Sequence, residues 1–233
     1  GDRVAYMLDN SLDLIVLVFS LMIIGSIQIP INTGLRNDSL KFIVSHCKSK
    51  LMLAEDSYQS ILAPLVNEQL ATGIIYRHSE YSFQWQNTKD SQSTVLVEDR
   101  ALGTDDVQFI LYTSGTTGEP KGVLVTDRML RAAADACAQT SSASANDRFL
   151  LWEPLFHIGA LQILPLVLIK HISLVLVLKF SASRFWEYVR SERVTKIHFL
   201  GGILQILLRQ PTNDDRNHSC QIAWGGGAPT HVA

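Results

Sequence analysis

The sequence predicts an α/β fold in which layered, parallel-rich sheets are flanked by helices. Short apolar, β-branched runs alternate with amphipathic stretches along most of the chain. That alternation builds crossover units, which lay helices over both faces of a parallel sheet. Composition agrees: 47% of the residues are hydrophobic and 18% charged, as in a globular protein with a substantial core. A length of 233 residues suffices for one large domain or two small ones.

Arg3 to Leu8 suits a strand, and Asn10 or Ser11 can cap the helix that follows by accepting from its unpaired N–H groups. Leu14 to Ile31 is almost wholly apolar and reaches the threshold of roughly 18 residues for a membrane span. It contains Ser20, Gly25, Ser26, Gln28 and Pro30, however, and Asp13 sits at its start. It divides into a buried helix ending near Gly25 and a short strand, Ile27 to Ile29, so no membrane span is expected. A membrane protein spanning at 14–31 is the alternative. No basic segment precedes the run, which argues against a signal peptide.

Asn37-Asp38-Ser39 opens a second helix with Leu40, Ile43, Val44 and Cys47 at helical spacing. Leu51 to Ala54 reads as a strand, Tyr58 to Leu70 as a helix and Gly73 to Tyr76 as a strand. Residues 77–105 are polar and aperiodic, a long connection between a first α/β portion (1–76) and a second (106–233). In the second portion Thr126 caps a helix running to about Thr140, and Phe149 to Leu151 is a strand. Helix Ala160 to Ile169, strand Ser173 to Leu178, helix Ala182 to Arg193, strand Lys196 to Leu200, helix Ile203 to Leu208 and strand Gln221 to Trp224 follow.

A net charge of −2 and a pI near 6.4 offer no electrostatic case for nucleic acid or an anionic membrane. The three cysteines, Cys47, Cys137 and Cys220, have no metal-ligand or paired spacing and read as buried, reduced thiols of a cytoplasmic protein. No metal site is expected from them. Oligomeric state is not legible.

The chemistry concentrates in Tyr112-Thr113-Ser114-Gly115-Thr116-Thr117-Gly118-Glu119-Pro120-Lys121-Gly122, between the apolar run Val107 to Leu111 and Val123-Leu124-Val125. Closely spaced glycines let main-chain N–H groups converge on an anion. The hydroxyls add rotatable donors, and Lys121 adds a positive charge. A polyphosphate suits such a loop. The Walker pattern fails, because Pro120 stands where its second glycine belongs and the loop returns into strand rather than helix. An ordinary Ser/Thr/Gly hairpin turn is the bland alternative, although hairpin loops usually run about 2–5 residues.

Thr113 to Gly122 resembles, without a gap, the phosphate loop of the adenylate-forming superfamily: acyl- and aryl-CoA synthetases, luciferases and peptide-synthetase adenylation domains. The likeness covers nearly the whole chain, from Gly1-Asp2-Arg3-Val4-Ala5 and Pro30-Ile31-Asn32 onward. It extends toward the crotonobetaine/carnitine–CoA ligases through Lys179 to Trp186 and Gln210 to His218. One departure is Gly201-Gly202, where many members carry Pro-Thr or Pro-Ser at the acyl pocket.

The resemblance implies part of the large N-terminal domain of an acid–CoA ligase, using ATP, Mg²⁺ and coenzyme A with a small carboxylic acid. Thr113, Ser114, Gly115, Thr116, Thr117, Gly118, Pro120, Lys121 and Gly122 would cradle the β- and γ-phosphates. His157, in Pro-Leu-Phe-His, would border the acyl site, and Gly225, Gly226, Gly227, Ala228 and Pro229 would flank the adenine. A trimethylammonium acid would find candidate linings in Trp152, Glu153, Phe156 and Trp224. The superfamily's ribose-binding aspartate, catalytic lysine, Mg²⁺ ligand and C-terminal lid domain have no matching positions, so residues 1–233 alone are expected to be inactive. A non-catalytic nucleotide-binding module is the rival reading. His46, His78, His171, His198, His218 and His231 lack ligand spacing and read as structural.

Overall fold

The computed structural model describes residues 1–67, 74–77, 102–113, 119–210 and 216–227. The chain forms two compact units, Gly1–Met129 and Leu130–Ala233.

In the first unit, β1 (Arg3–Met7) leads into α1 (Leu12–Ile23), whose N-cap Ser11 accepts from the Leu14 amide at 3.1 Å. Then come β2 (Ile27–Pro30), α2 (Asn37–Cys47), β3 (Leu51–Glu55), a 3₁₀ turn (Asp56–Tyr58), α3 (Gln59–Asn67) and β4 (Ile74–Arg77). An antiparallel pair, β5 (Val107–Thr113) and β6 (Lys121–Thr126), completes the sheet in the order β4-β3-β1-β2-β5-β6. All other neighbours in it are parallel. The phosphate-loop strands therefore belong to the first sheet.

Leu40, Ile43, Val44 and Cys47 enter the core on the spacing the sequence predicts, packed with Met7, Ile29, Met52 and Leu62. Helix α1 buries one face only, through Leu14, Val18 and Leu21, while Leu12, Val16 and Ile23 are exposed. The expectation of a fully buried helix holds for half of it. No helix among the described residues is long and apolar enough to cross a membrane.

Helix α4 (Asp127–Thr140) begins with the Thr126 hydroxyl accepting from the Met129 amide at 3.3 Å. The second unit continues with β7 (Arg148–Leu151), α5 (Ile158–Leu161), α6 (Leu164–Ile169), β8 (Ser173–Leu176), α7 (Phe185–Ser191), β9 (Lys196–Leu200), α8 (Gly201–Leu208) and β10 (Ile222–Gly226). Its sheet is wholly parallel in the order β10-β9-β7-β8. The single helix expected over 160–169 is two, since Pro165 opens α6 and cannot continue a preceding turn. Leu150, Trp152, Val177, Phe185, Val189 and Ile197 form the core.

Both sheets share one plan. Each starts in the middle, steps to one side, crosses back over its first strand and continues outward. The strand order thus reverses between β1 and β3 in one unit and between β7 and β9 in the other.

Cys47 and Cys137 are buried, and burial pushes the Cys137 thiol up to about 12. Cys220 is only partly buried, unlike the expectation for all three.

Candidate functional site

The phosphate hairpin rises from the core of the first sheet. Phe109, Ile110 and Leu111 are buried, Tyr112 is half-buried and Thr113 is exposed. Register pairs Tyr112 with Gly122 and Thr113 with Lys121. The loop thus opens beyond that last pair, with exposed Lys121 at the foot of β6. The antiparallel return confirms the distinction from a Walker loop, which runs on into a helix. Thr113, Pro120, Lys121 and Gly122 are thereby placed on the stems, while Ser114, Gly115, Thr116, Thr117 and Gly118 lie outside the described residues. Tyr112 lies 2.7 Å through its hydroxyl from His46 Nδ1, and burial raises its phenol to about 12.

In the second unit the strand order reverses between β7 and β9, and parallel α/β sheets bind ligands outside their strands' carboxyl ends at such a reversal. Trp152 and Glu153 directly follow β7, and His198 lies on β9. The Trp152 indole N–H donates to the His198 carbonyl at 2.8 Å. Glu153 Oε1 lies 2.5 Å from His198 Nδ1, with the carboxylate side chain 3% exposed and the imidazole 11%. Trp224, opposite His198 in register, tilts against its ring at 5.3 Å.

His157 caps α5 in extended backbone geometry and stacks obliquely on Phe156 at 4.6 Å. Its side chain is exposed on one side. Desolvation by the surrounding segment pulls the imidazole below its ordinary pKa, while the Glu153 carboxylate pulls it the other way. Two carboxylate–imidazole relations therefore meet at Glu153. A Cβ at Gly159 would overlap Glu153 Oε2, so any side chain there would displace that carboxylate.

Beyond Trp224, β10 ends in Gly225 and Gly226. A Cβ on Gly225 would overlap the Phe199 carbonyl oxygen, so bare backbone lets β10 lie against β9. At Gly226 a Cβ would meet nothing within 4 Å, and Gly227 has φ of 73°. This leaves an open strip of main chain suited to a flat ring. Ala228 and Pro229 lie outside the described residues.

The structure thus brings His157 and Gly225–Gly227 to one unit, and the phosphate hairpin to the other. It adds His198, which sequence reasoning took as structural, and gives Glu153 a partner. Those two lie 45 positions apart, so no spacing pattern could have joined them. Trp152 and Trp224 are buried, Phe156 partly so. Among the described residues no three His, Cys, Asp or Glu side chains gather as a metal site.

A family model described as "AMP-binding enzyme" matches residues 1–233. The chain belongs to that family. This AMP-binding chain is 30% identical over 210 residues to the long-chain-fatty-acid–CoA ligase FadD13 of Mycobacterium tuberculosis, covering 89% of itself and 40% of the relative. It is 32% identical over 233 residues to a crotonobetaine/carnitine–CoA ligase of Salmonella agona, covering 94% of itself and 44% of that protein. Among solved structures, it superposes on a fatty acyl CoA synthetase of Mycobacterium tuberculosis with a TM-score of 0.81 at 26% identity, over 98% of this chain and 45% of that one. The chain thus spans less than half the length of these relatives. The adenylate-forming resemblance read at Thr113 to Gly122 holds, and the fold is that of their N-terminal domains.

Proposed function

We propose that this AMP-binding chain carries the ATP- and acid-binding part of an AMP-forming acid–CoA ligase. The observation that supports this most directly is the hairpin closed by Thr113 and Lys121, from which the glycine- and hydroxyl-rich loop extends. In the reaction, an oxygen of the substrate carboxylate attacks the α-phosphorus of ATP. The bond to the β-phosphate breaks, and pyrophosphate leaves with the electron pair. The coenzyme A sulfur then attacks the acyl carbon and AMP departs. Mg²⁺ bound with the nucleotide would offset the charge of its phosphates.

Thr113 to Gly122 serve the β- and γ-phosphates, where charge builds on the leaving group. Lys121 adds a mobile point charge there. His157, whose imidazole desolvation pulls below its ordinary pKa against the pull of Glu153, borders the acid without acting as its base. A carboxylate nucleophile needs no proton removed. Gly225 to Pro229 form the strip against which the adenine lies. Relatives named for crotonobetaine and carnitine favour a short polar acid, as does the polar pair Glu153–His198 beside the strand-order reversal.

Acid-dependent pyrophosphate exchange by the full-length protein, with a panel of carboxylic acids, tests the reading. Lys121→Ala should weaken ATP use far more than AMP binding, because its charge faces the leaving phosphates. Nucleotide binding with no exchange for any acid would leave a non-catalytic nucleotide-binding module instead.

A further inference from the structure

The Glu153–His198 pair has a geometry that packing alone does not require. Its hydrogen bond joins Glu153 Oε1 to His198 Nδ1, which fixes the tautomer: Nδ1 carries the proton that the carboxylate accepts. Trp152 holds the backbone of the same residue through the His198 carbonyl, and Trp224 flanks the ring. The carboxylate is seated by the absence of a side chain at Gly159. The imidazole is thus held by Glu153 at Nδ1 and by Trp224 against its ring, and its backbone by Trp152.

Its other nitrogen is uncommitted. Among the described residues nothing bonds His198 Nε2, and that atom is not one of the buried unpaired ones. It lies in the second unit, on β9 beside the point where the strand order reverses between β7 and β9. A carboxylate-held imidazole with an open Nε2 is a hydrogen-bonding group aimed by its support. When neutral it accepts from a hydroxyl, and when protonated it donates to one. The buried Glu153 is already engaged by His198, so it is poorly placed to receive a cationic substrate group.

We infer that His198 is a specificity-determining residue of the acid site, its Nε2 hydrogen-bonding a hydroxyl on the substrate's carbon chain, with Glu153 and Gly159 as positioning residues. The inference rests on the acid–CoA ligase reading and narrows its substrate class to hydroxy acids. A site built around a substrate hydroxyl discriminates against the analogue lacking it, because the site's own polar group is then left unpaired.

The test compares matched acids on the full-length protein: carnitine against γ-butyrobetaine, which lacks only the hydroxyl, and 3-hydroxybutyrate against butyrate. In pyrophosphate exchange, kcat/KM favours the hydroxy acid in at least one pair by about ten- to hundredfold. His198→Phe brings that ratio near one. So does Gly159→Ala, whose Cβ overlaps the Glu153 carboxylate and meets His198 Cε1 only at an ordinary contact distance of 3.4 Å. Equal kcat/KM within both pairs overturns the inference and leaves the ligase reading standing. Either variant that folds and keeps the wild-type ratio also overturns it. Absence of exchange with every acid overturns the ligase reading, and ring-nitrogen NMR of ¹⁵N-labelled His198 then decides the binding role. A hydroxy acid that shifts Nε2 while its deoxy partner does not upholds that role, and equal or absent shifts end it.

Discussion

His46 and Tyr112 are joined across the first sheet, imidazole Nδ1 to phenol oxygen at 2.7 Å. His46 sits in the last turn of α2, stacked on Phe42 with centroids 5.2 Å apart, and meets the Tyr112 ring edge-on. The residue that opens the phosphate loop is thereby tied to the helix covering its sheet. Tyr112→Phe keeps the ring packing and loses only the hydroxyl. The expected cost is about 0.5–1.5 kcal/mol, read from urea unfolding, and no change would mean that the bond does not survive in solution.

Val18 is 1% exposed on the inner face of α1. Val18→Asp should therefore destabilise the first unit by at least about 3 kcal/mol, since an unpaired carboxylate there is expensive. Thermal unfolding of the variant measures this. Carbonate-resistant membrane association of the wild type would instead place that face in lipid.

Arg77 reaches both Asp13, at 2.5 Å, and Glu55, at 2.8 Å, with all three side chains buried. Arg77→Met removes the cation that two buried carboxylates share, at an expected cost of about 3–5 kcal/mol. Adding Glu55→Gln should recover part of it. Desolvation raises the Glu55 carboxyl against the pull of Arg77. Its contribution is thus favourable below the ordinary value of 4.5 and is lost as pH rises through the folded pKa. Glu55→Gln should flatten that part of the stability–pH curve in denaturant titrations, and an unaltered curve would contradict it.

Asp147 shows the opposite sign. Burial opposes its ionisation, but the Thr195 hydroxyl at 2.7 Å and the Ser144 amide and hydroxyl, both at 2.9 Å, hold its carboxyl below the usual 3.8. The stability it contributes is complete above that value and disappears as pH falls through the lower folded pKa. Asp147→Asn should cost about 1–3 kcal/mol at neutral pH. The difference from wild type should shrink below about pH 4, which a series of urea melts would reveal.

Much of this was legible because it is local. Leu40, Ile43, Val44 and Cys47 announce a helix face, and the contiguous motif from Thr113 to Gly122 announces the family. Helix ends were less so: α7 starts at Phe185 rather than Ala182, since only packing decides how far a short helix extends. The lateral order of parallel strands was not readable either. Whether β3 lies to one side of β1 or the other leaves no mark on either segment's periodicity. The Glu153–His198 bond was hidden for the same reason, being created by the pairing of β7 with β9.

The strand order β4-β3-β1-β2-β5-β6 also carries a schedule. Its first four strands come from residues 3–77 and can pair as soon as that stretch leaves the ribosome. The hairpin β5–β6 arrives only after a long interval of chain and must find the finished outer edge of β2. Pairing β5 with β2 spans more of the chain than any pairing among the first four strands, so it costs more closure entropy and belongs to the slower, non-local contacts. Pulse-labelling hydrogen exchange during refolding should therefore protect β1 and β3 before Phe109 and Val125, so that the β5–β6 hairpin is seated last.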